Sequence, residues 1–238
     1  MHTAPDRQFG YVVSDLHLFT HRTAAGAHLS ALRGAADKAE FFVLNGDIFD
    51  FRWTTLASAE ATAQAAEEEL ERAVRRYPNC RFHYIMGNHD GLAWFARHLD
   101  ALAERAENFH WHPSHLLVGD SLFLHGDLAL GNGRRDPLQR TLKQLPRKPS
   151  RGLHAAYEVL VASRAHRAVA GLHSPTWCAK RILKSLRAHH PALAPRLRDV
   201  YFGHSHHPFS NFRYQGVRFH NTGSTIRHLR CNLLEVQS

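Results

Sequence analysis

The chain has 238 residues, 44% of them apolar, with three cysteines and a formal net charge of +9. No run approaches the ~18 apolar residues of a membrane-spanning helix. The start, MHTAPDRQFGYVVSD, lacks the charged-then-apolar order of a signal peptide. Cys80, Cys178 and Cys231 lie too far apart for a CxxC metal site and are odd in number, which argues against a disulfide framework. We therefore expect a globular chain in a reducing cytoplasm, built as one large domain or as a domain with an insertion.

The elements alternate from the start. GYVVS (10–14) reads as a short strand, HLSALRGAADKA (28–39) as a helix and FFVLN (41–45) as a second strand. SAEATAQAAEEELERAVRRY (58–77) is a run of strong helix formers ended by Pro78. RFHYIM (81–86) follows as a strand, then LAWFARHLDALAERA (92–106) as a helix. Strands alternating with helices imply βαβ units and a mostly parallel, buried sheet.

The texture then changes. HLLVGDSLFLH (115–125) reads as two strands joined at a Gly-Asp turn. Residues 134–190 carry no strand signal, but Leu153, Tyr157, Leu160 and Val161 share one helical face, as do Ile182, Leu183 and Leu186. Strand character returns at DVYFG (199–203), VRFHN (217–221) and LRCNLLEV (229–236). Charge is as uneven as structure: residues 131–198 hold 15 Lys and Arg against Asp136 and Glu158, a net of +13, so the rest of the chain carries −4. The expected organisation is a core of 1–130 and 199–238 with a basic helical cap inserted at 131–198.

Five stretches share one grammar, an apolar strand ending in polar, metal-capable residues: VVSDLH (12–17), VLNGDIFD (43–50), IMGNHD (85–90), LFLHGD (122–127) and YFGHSH (201–206). Binding crevices of open α/β sheets form beyond the carboxyl ends of strands, so Asp15, His17, Asp47, Asn88, His125, His204 and His206 are expected to meet in one. Asp15/His17 and His204/His206 are i,i+2 pairs, which point to the same side in extended chain. Each motif alone could be a helix cap or a turn. All five together are not explained that way, because carboxylates and imidazoles at the ends of buried strands are costly to desolvate unless paired or metal-bound.

The motifs DLH, GDIFD, GNHD, HGD and GHSH, in this order, resemble the calcineurin-like metallophosphoesterase superfamily, and NTGS (221–224) looks like the turn that follows its last ligands. The resemblance implies a four-layer α-β-β-α sandwich with two divalent ions at the strand ends. By matching position, Asp15, His17 and His206 hold one metal, Asn88, His125 and His204 the other, and Asp47 bridges them. The mixed nitrogen and oxygen set suits Mn²⁺, the favoured ion, and also Fe²⁺, Co²⁺ or Zn²⁺. Two such ions lower the pKa of a shared water and clamp the phosphoryl oxygens. In the same pattern His89 serves the leaving oxygen and Asp90 orients it, while Asp50 and Asp127 support the ligands.

A helical insertion between HGD and GHSH also resembles that of bacterial UDP-2,3-diacylglucosamine diphosphatases of lipid A synthesis, peripheral enzymes that hold two acyl chains between cap and core. That group has Arg where this chain has His89. The resulting expectation is a diphosphate hydrolase acting on a lipid-linked nucleotide, cytoplasmic and peripheral on the inner membrane, whose basic segment faces anionic lipid. Arg134, Arg135 and Arg140 are expected, on charge alone, to touch the substrate. The competing expectations are a nucleotide or nucleic-acid phosphodiesterase, for which the segment offers only Tyr157 and Trp177 as stacking aromatics, and a non-catalytic scaffold, which the complete set of ligand positions disfavours.

Overall fold

The computed structural model describes residues 8–131, 135–144, 150–164 and 173–237. Two five-stranded sheets face each other. The first has the order β10-β1-β2-β3-β4, from β1 (Phe9–Val13), β2 (Phe41–Asn45), β3 (Arg81–Ile85), β4 (Phe109–His112) and β10 (Leu234–Gln237). Its first four strands in the chain run parallel, and β10 closes one edge antiparallel to β1. The second has the order β5-β6-β7-β9-β8, from β5 (His115–Val118), β6 (Ser121–Leu124), β7 (Asp199–Phe202), β8 (Phe209–Tyr214) and β9 (Val217–Asn221). There β6, β7 and β9 run parallel and the outer pairs are antiparallel.

Strand alternation builds the layers, because successive side chains leave a strand on opposite faces. Val12, Phe41, Val43, Ile85, Phe123, Tyr201 and Val236 point between the sheets and form the inner core. Their neighbours Val13, Phe42, Phe82 and Tyr84 point outward into a second cluster. That cluster takes in the apolar faces of α1 (Leu29–Ala36), α2 (Ala59–Arg76) and α3 (Ala93–Arg105). On the other side Leu122, Leu124, Val200, Phe202 and Phe219 meet Cys178, Ala179, Ile182, Leu183 and Leu186 of the helix Pro175–His189. The result is the expected four-layer α-β-β-α sandwich.

Among the described residues, two helices lie between β6 and the long helix Pro175–His189: a single turn, α4 (Asp127–Leu130), and α5 (Arg151–Ala162); the long helix is here labelled α6. All three helices of 12 residues or more with a Ser N-cap (α2, α5, α6) have that hydroxyl accepting a first-turn N–H. The two helices of the basic segment behave differently. Helix α6 buries its apolar face as an outer layer of the sandwich. Among its described side chains, helix α5 buries only Val161 and leaves Leu153 (48%), Leu160 (39%) and Val159 (68%) exposed.

Strands β4 and β8 carry no clear strand signal in the sequence. β4 is FHWH, two histidines in four residues, and its place in the sheet comes from pairing with β3. β8 alternates polar and half-buried residues at a sheet edge, with a register irregularity between Phe209 and Phe212.

Candidate metal centre

The five motifs converge at the carboxyl ends of β1, β2, β3, β6 and β7. The loops after β1 and β2 are laced together: Asp15 N–H donates to Gly46 O and His17 N–H to Asp47 O, each at 3.0 Å. The loop after β7 is tied to that after β6 by Gly203 N–H to His125 O at 3.0 Å. Three groups of side chains bring their ligand atoms within 4.8 Å of one another: Asp15, His17 and His206; His17, Asp47 and His89; and Asp47, His125 and His204. His17 and Asp47 each belong to two of them.

The backbone is unusual at these positions. Asp15 (φ 53°), His17 (46°), Asp47 (53°), His204 (63°) and His206 (56°) all occupy the left-handed region, which costs a non-glycine residue of order 1 kcal/mol. The shared side of His17 with Asp15, and of His206 with His204, therefore comes from left-handed turns rather than from extended chain. Surrounding contacts hold the turns. Thr225 N–H and Ser224 Oγ donate to Asp15 O, both at 3.1 Å. Ser14 N–H donates to Thr222 Oγ1 at 3.1 Å, and Asn221 Nδ2 donates to Gly203 O at 2.9 Å. The NTGS turn thus braces the strand-end loops from behind.

Three glycines allow the close approach: at Gly46, φ 85°, a Cβ would overlap the His125 ring. A Cβ at Gly203 would overlap Asp15 Oδ2 and Ser14 Oγ, and one at Gly87 would overlap Asp47 Oδ1.

The carboxylates are set by dense pairing. Asp47 Oδ1 accepts His89 N–H at 2.8 Å, and its Oδ2 lies 3.2 Å from His125 Nε2. Asp15 Oδ2 accepts His204 N–H at 3.0 Å and the Ser14 hydroxyl at 2.5 Å. Asn88 Oδ1 lies 3.1 Å from His125 Nε2. Asp50 holds two rings, with Oδ1 at 2.9 Å from His89 Nδ1 and Oδ2 at 3.2 Å from His17 Nδ1.

Does this set fit divalent cations? Asp15 Oδ1 and His17 Nε2 are buried and meet no hydrogen-bond partner, although Asp15 Oδ1 lies 3.0 Å from His206 Nε2 and 3.8 Å from His17 Nε2. Oxygen and nitrogen atoms able to bind a cation therefore converge in a buried crevice. With Nδ1 of His17 spent on Asp50, its Nε2 lone pair is the one turned inward, the carboxylate–histidine arrangement typical of metal ligands. The field favours positive charge: burial opposes protonation of His125, but Asp47 and Asp15 push its pKa up to about 10. Burial likewise opposes protonation of His89, and Asp50 and Asp47 overcome it to reach about 9. Burial would raise Asp15, yet His125 and His206 bring it down to about 2. The residues fit a divalent centre in both donor type and charge.

The expected residues divide as follows. Asp15, His17, Asp47, Asn88, His125, His204 and His206 meet in the crevice, with His89 among them. Asp90 does not orient His89. Its carboxylate accepts Gly87 N–H at 2.6 Å, Ile48 N–H at 3.0 Å and the Tyr84 hydroxyl at 2.6 Å, which ties the β2 and β3 loops together. Burial and the Asp47 charge raise Asp90 to about 6. Asp50 holds the His89 ring instead, a partner that adjacency in sequence does not reveal.

Arg140 does not offer a free charge to a substrate: its side chain is largely covered and grips Asp127 with both Nη atoms, at 2.5 and 3.0 Å. Arg135 is exposed, and Arg134 lies outside the described residues. His207, the third histidine of the GHSHH run, is half-buried, its ring 6.3 Å from that of Phe209.

Compared with known proteins, residues 11–208 match the family model described as calcineurin-like phosphoesterase. No curated protein matches the chain. Among solved structures, a dimetal phosphatase from Danio rerio is 13% identical, with 97% of this chain and 98% of that one covered and a TM-score of 0.47. A second solved structure is 11% identical, with 97% and 99% covered and the same TM-score. Overlaps below 0.5 carry no weight for this chain's chemistry.

Proposed function

The chain belongs to the calcineurin-like phosphoesterase family, a family of metal-dependent phosphoester hydrolases, and from that premise we propose that it cleaves the diphosphate of a lipid-linked nucleotide of the UDP-2,3-diacylglucosamine kind. In this proposal Asp15, His17 and His206 hold one divalent ion, Asn88, His125 and His204 the other, and Asp47 both. Manganese is the proposed ion. When bound, the pair supplies Lewis acidity toward the phosphoryl oxygens and an activated water. His89, its Nδ1 fixed by Asp50, presents Nε2 to the crevice and gives its proton to the leaving oxygen.

The observation that carries the substrate class is α5. It belongs to the basic segment, is tied to the strand-end loops through Trp53, whose ring stacks on Tyr157 at 4.8 Å, and exposes Leu153, Val159 and Leu160. Exposed apolar side chains on a helix beside an anion-binding crevice, with Leu153 and Leu160 on one face, suit a ligand with both a diphosphate and acyl chains. The proposed cap within 131–198 is accordingly α5, because α6 is part of the sandwich. A basic exterior would hold the protein peripherally on the anionic inner face of a membrane; among the described residues no helix is long and apolar enough to cross one.

A second reading rests on α6, where Arg181 sits 4.9 Å from the Trp177 ring, beside Lys180 and Lys184. A basic helix with an aromatic platform suits a nucleic-acid phosphodiester. A Mn²⁺-supplemented substrate panel separates the two. Release of UMP from UDP-2,3-diacylglucosamine, with detergent-sensitive kinetics, is the expected result. Turnover confined to nucleic acid, steeply salt-dependent, would replace the lipid reading.

A further inference from the structure

Arg22 lies in the loop after β1, and its guanidinium is buried, with 6% of the residue exposed. The guanidinium carbon sits 4.6 Å from the ring centroid of Trp53 and 4.1 Å from that of Tyr157. Tyr157 comes from α5, and Trp53 comes from the loop after β2 that also carries Asp47 and Asp50. His154 of α5 adds an edge contact to Trp53 at 5.0 Å. One guanidinium nitrogen, Nη2, reaches Asp50 Oδ2 at 3.3 Å. That oxygen also meets His17 Nδ1, and the other oxygen of Asp50 meets His89 Nδ1.

The contacts therefore run in one chain from α5 to the crevice: Tyr157, Arg22, Asp50, then the two imidazoles. Asp50 decides which nitrogen each ring turns inward, because a carboxylate on Nδ1 keeps that atom protonated and leaves Nε2 facing the crevice. Backbone N–H groups of Arg52 and Trp53 hold Oδ1 of Asp50, at 3.0 and 2.9 Å, so Arg22 and His17 are the partners that set Oδ2. A guanidinium packed against two aromatic rings and bound to a carboxylate keeps a fixed direction in a way a lysine ammonium would not.

We propose that Arg22 is a positioning residue that couples the seating of α5 to the orientation of His17 and His89 through Asp50. A ligand that seats α5 then improves both metal retention and proton delivery without contacting either imidazole. The inference rests on the proposed roles of His17 and His89 but not on the identity of the lipid nucleotide.

The test uses the full chain and four variants: Arg22→Met, Arg22→Lys, Tyr157→Ala and the Arg22→Met/Tyr157→Ala double. Mn²⁺ affinity is measured by calorimetry, and kcat and KM on bis-p-nitrophenyl phosphate, a diester too small to need acyl contacts. Arg22→Met and Tyr157→Ala should each lower kcat and Mn²⁺ affinity by about tenfold, as residues supporting metal ligands do. Arg22→Lys should fall between wild type and Arg22→Met. The double variant should be no worse than Arg22→Met, since Tyr157 acts through Arg22. Additive losses in the double variant overturn the proposal. So does a Tyr157→Ala protein that changes only KM or melting temperature. If Arg22→Met does not fold, the same comparison is made with Arg22→Lys and its Tyr157→Ala double. A wild type that binds Mn²⁺ yet turns over no phosphoester removes the hydrolase reading, while the Mn²⁺ affinities still decide the coupling.

Discussion

His89 Nδ1 lies 2.9 Å from Asp50 Oδ1, and the other oxygen of the same carboxylate lies 3.2 Å from His17 Nδ1. One side chain thus fixes the ring proposed to serve the leaving group and a ring proposed to hold metal. Opposing burial, the two histidines keep Asp50 far below the usual carboxylate range. Asp50→Asn should lower kcat on a simple phosphodiester by about 10²-fold and weaken metal retention. Asp90→Asn should lose less turnover, and mainly cost stability, about 1–3 kcal/mol for the buried N–H and hydroxyl groups it leaves poorly paired. Steady-state kinetics and thermal melts on the two variants check this. The assignment fails if Asp90→Asn is the slower enzyme and melts like wild type.

Gly203 stands where a Cβ would press on Asp15 Oδ2 and Ser14 Oγ, whose mutual hydrogen bond helps fix the Asp15 carboxylate. Overpacking such a site costs about 1–3 kcal/mol, and here the shift falls on the Asp15 side chain. Gly203→Ala should therefore come through dialysis with less bound metal than wild type, measured by elemental analysis. Gly34 is the matched control: it lies within α1 with open space around a built Cβ. Gly34→Ala should keep its metal and gain about 0.5–1 kcal/mol. Equal metal contents in the two variants would contradict the role given to Gly203.

Much of this architecture is legible in the sequence, because its signals are local. The parallel strands are short apolar runs that end in the same kind of polar residue, and FFVLN and VRFHN fall on β2 and β9 to the residue. The seven ligand candidates and His89 meet because strand ends share one edge of a sandwich. What the sequence hides is pairing over distance. Asp50 and His89 are 39 residues apart, Arg140 and Asp127 neutralise each other across a stretch that reads as basic excess, and α6 looks like part of an insertion until its apolar face is seen against β7 and β9. β4 is hidden by its brevity: FHWH alternates aromatic and polar residues, but four residues beside a long helix make a weak signal, and parallel pairing with β3 makes it a strand.

The three cysteines should be inert in the native protein. Burial pushes the Cys80 thiol up to about 12, Cys178 to about 11 and Cys231 to about 12, and the thiolate is the reactive form. Ellman's reagent at pH 8 should react slowly with the folded chain and with all three thiols once denaturant is added. A fast stoichiometric reaction without denaturant would show that a thiol is open to solvent.

Far from the crevice, Asp199 at the start of β7 is buried beneath two arginines and a histidine. Arg218 grips it with Nε and Nη2 at 2.7 and 2.6 Å, His220 Nε2 lies at 2.9 Å and Arg198 Nε at 3.1 Å. Burial alone would raise the pKa of this carboxyl; hydrogen bonds from His220, Arg218 and Arg198 instead hold it well below the usual range. A carboxylate depressed on folding contributes stability that is present above its unfolded pKa, about 3.9, and is lost as pH falls through the folded value. Arg198 and Arg218 are 45% and 33% exposed at the side chain, so solvent screens part of the pairing. Asp199→Asn should therefore cost about 2 kcal/mol at pH 7, less than a fully buried broken pair. The gap between wild type and variant should stay constant from pH 7 to about 5 and narrow below about 4, because wild type then loses what the variant never had. Urea unfolding of both proteins at pH 7, 5 and 3 measures it directly. A gap as wide at pH 3 as at pH 7 would mean that the charge on Asp199 is not what holds this corner of the second sheet.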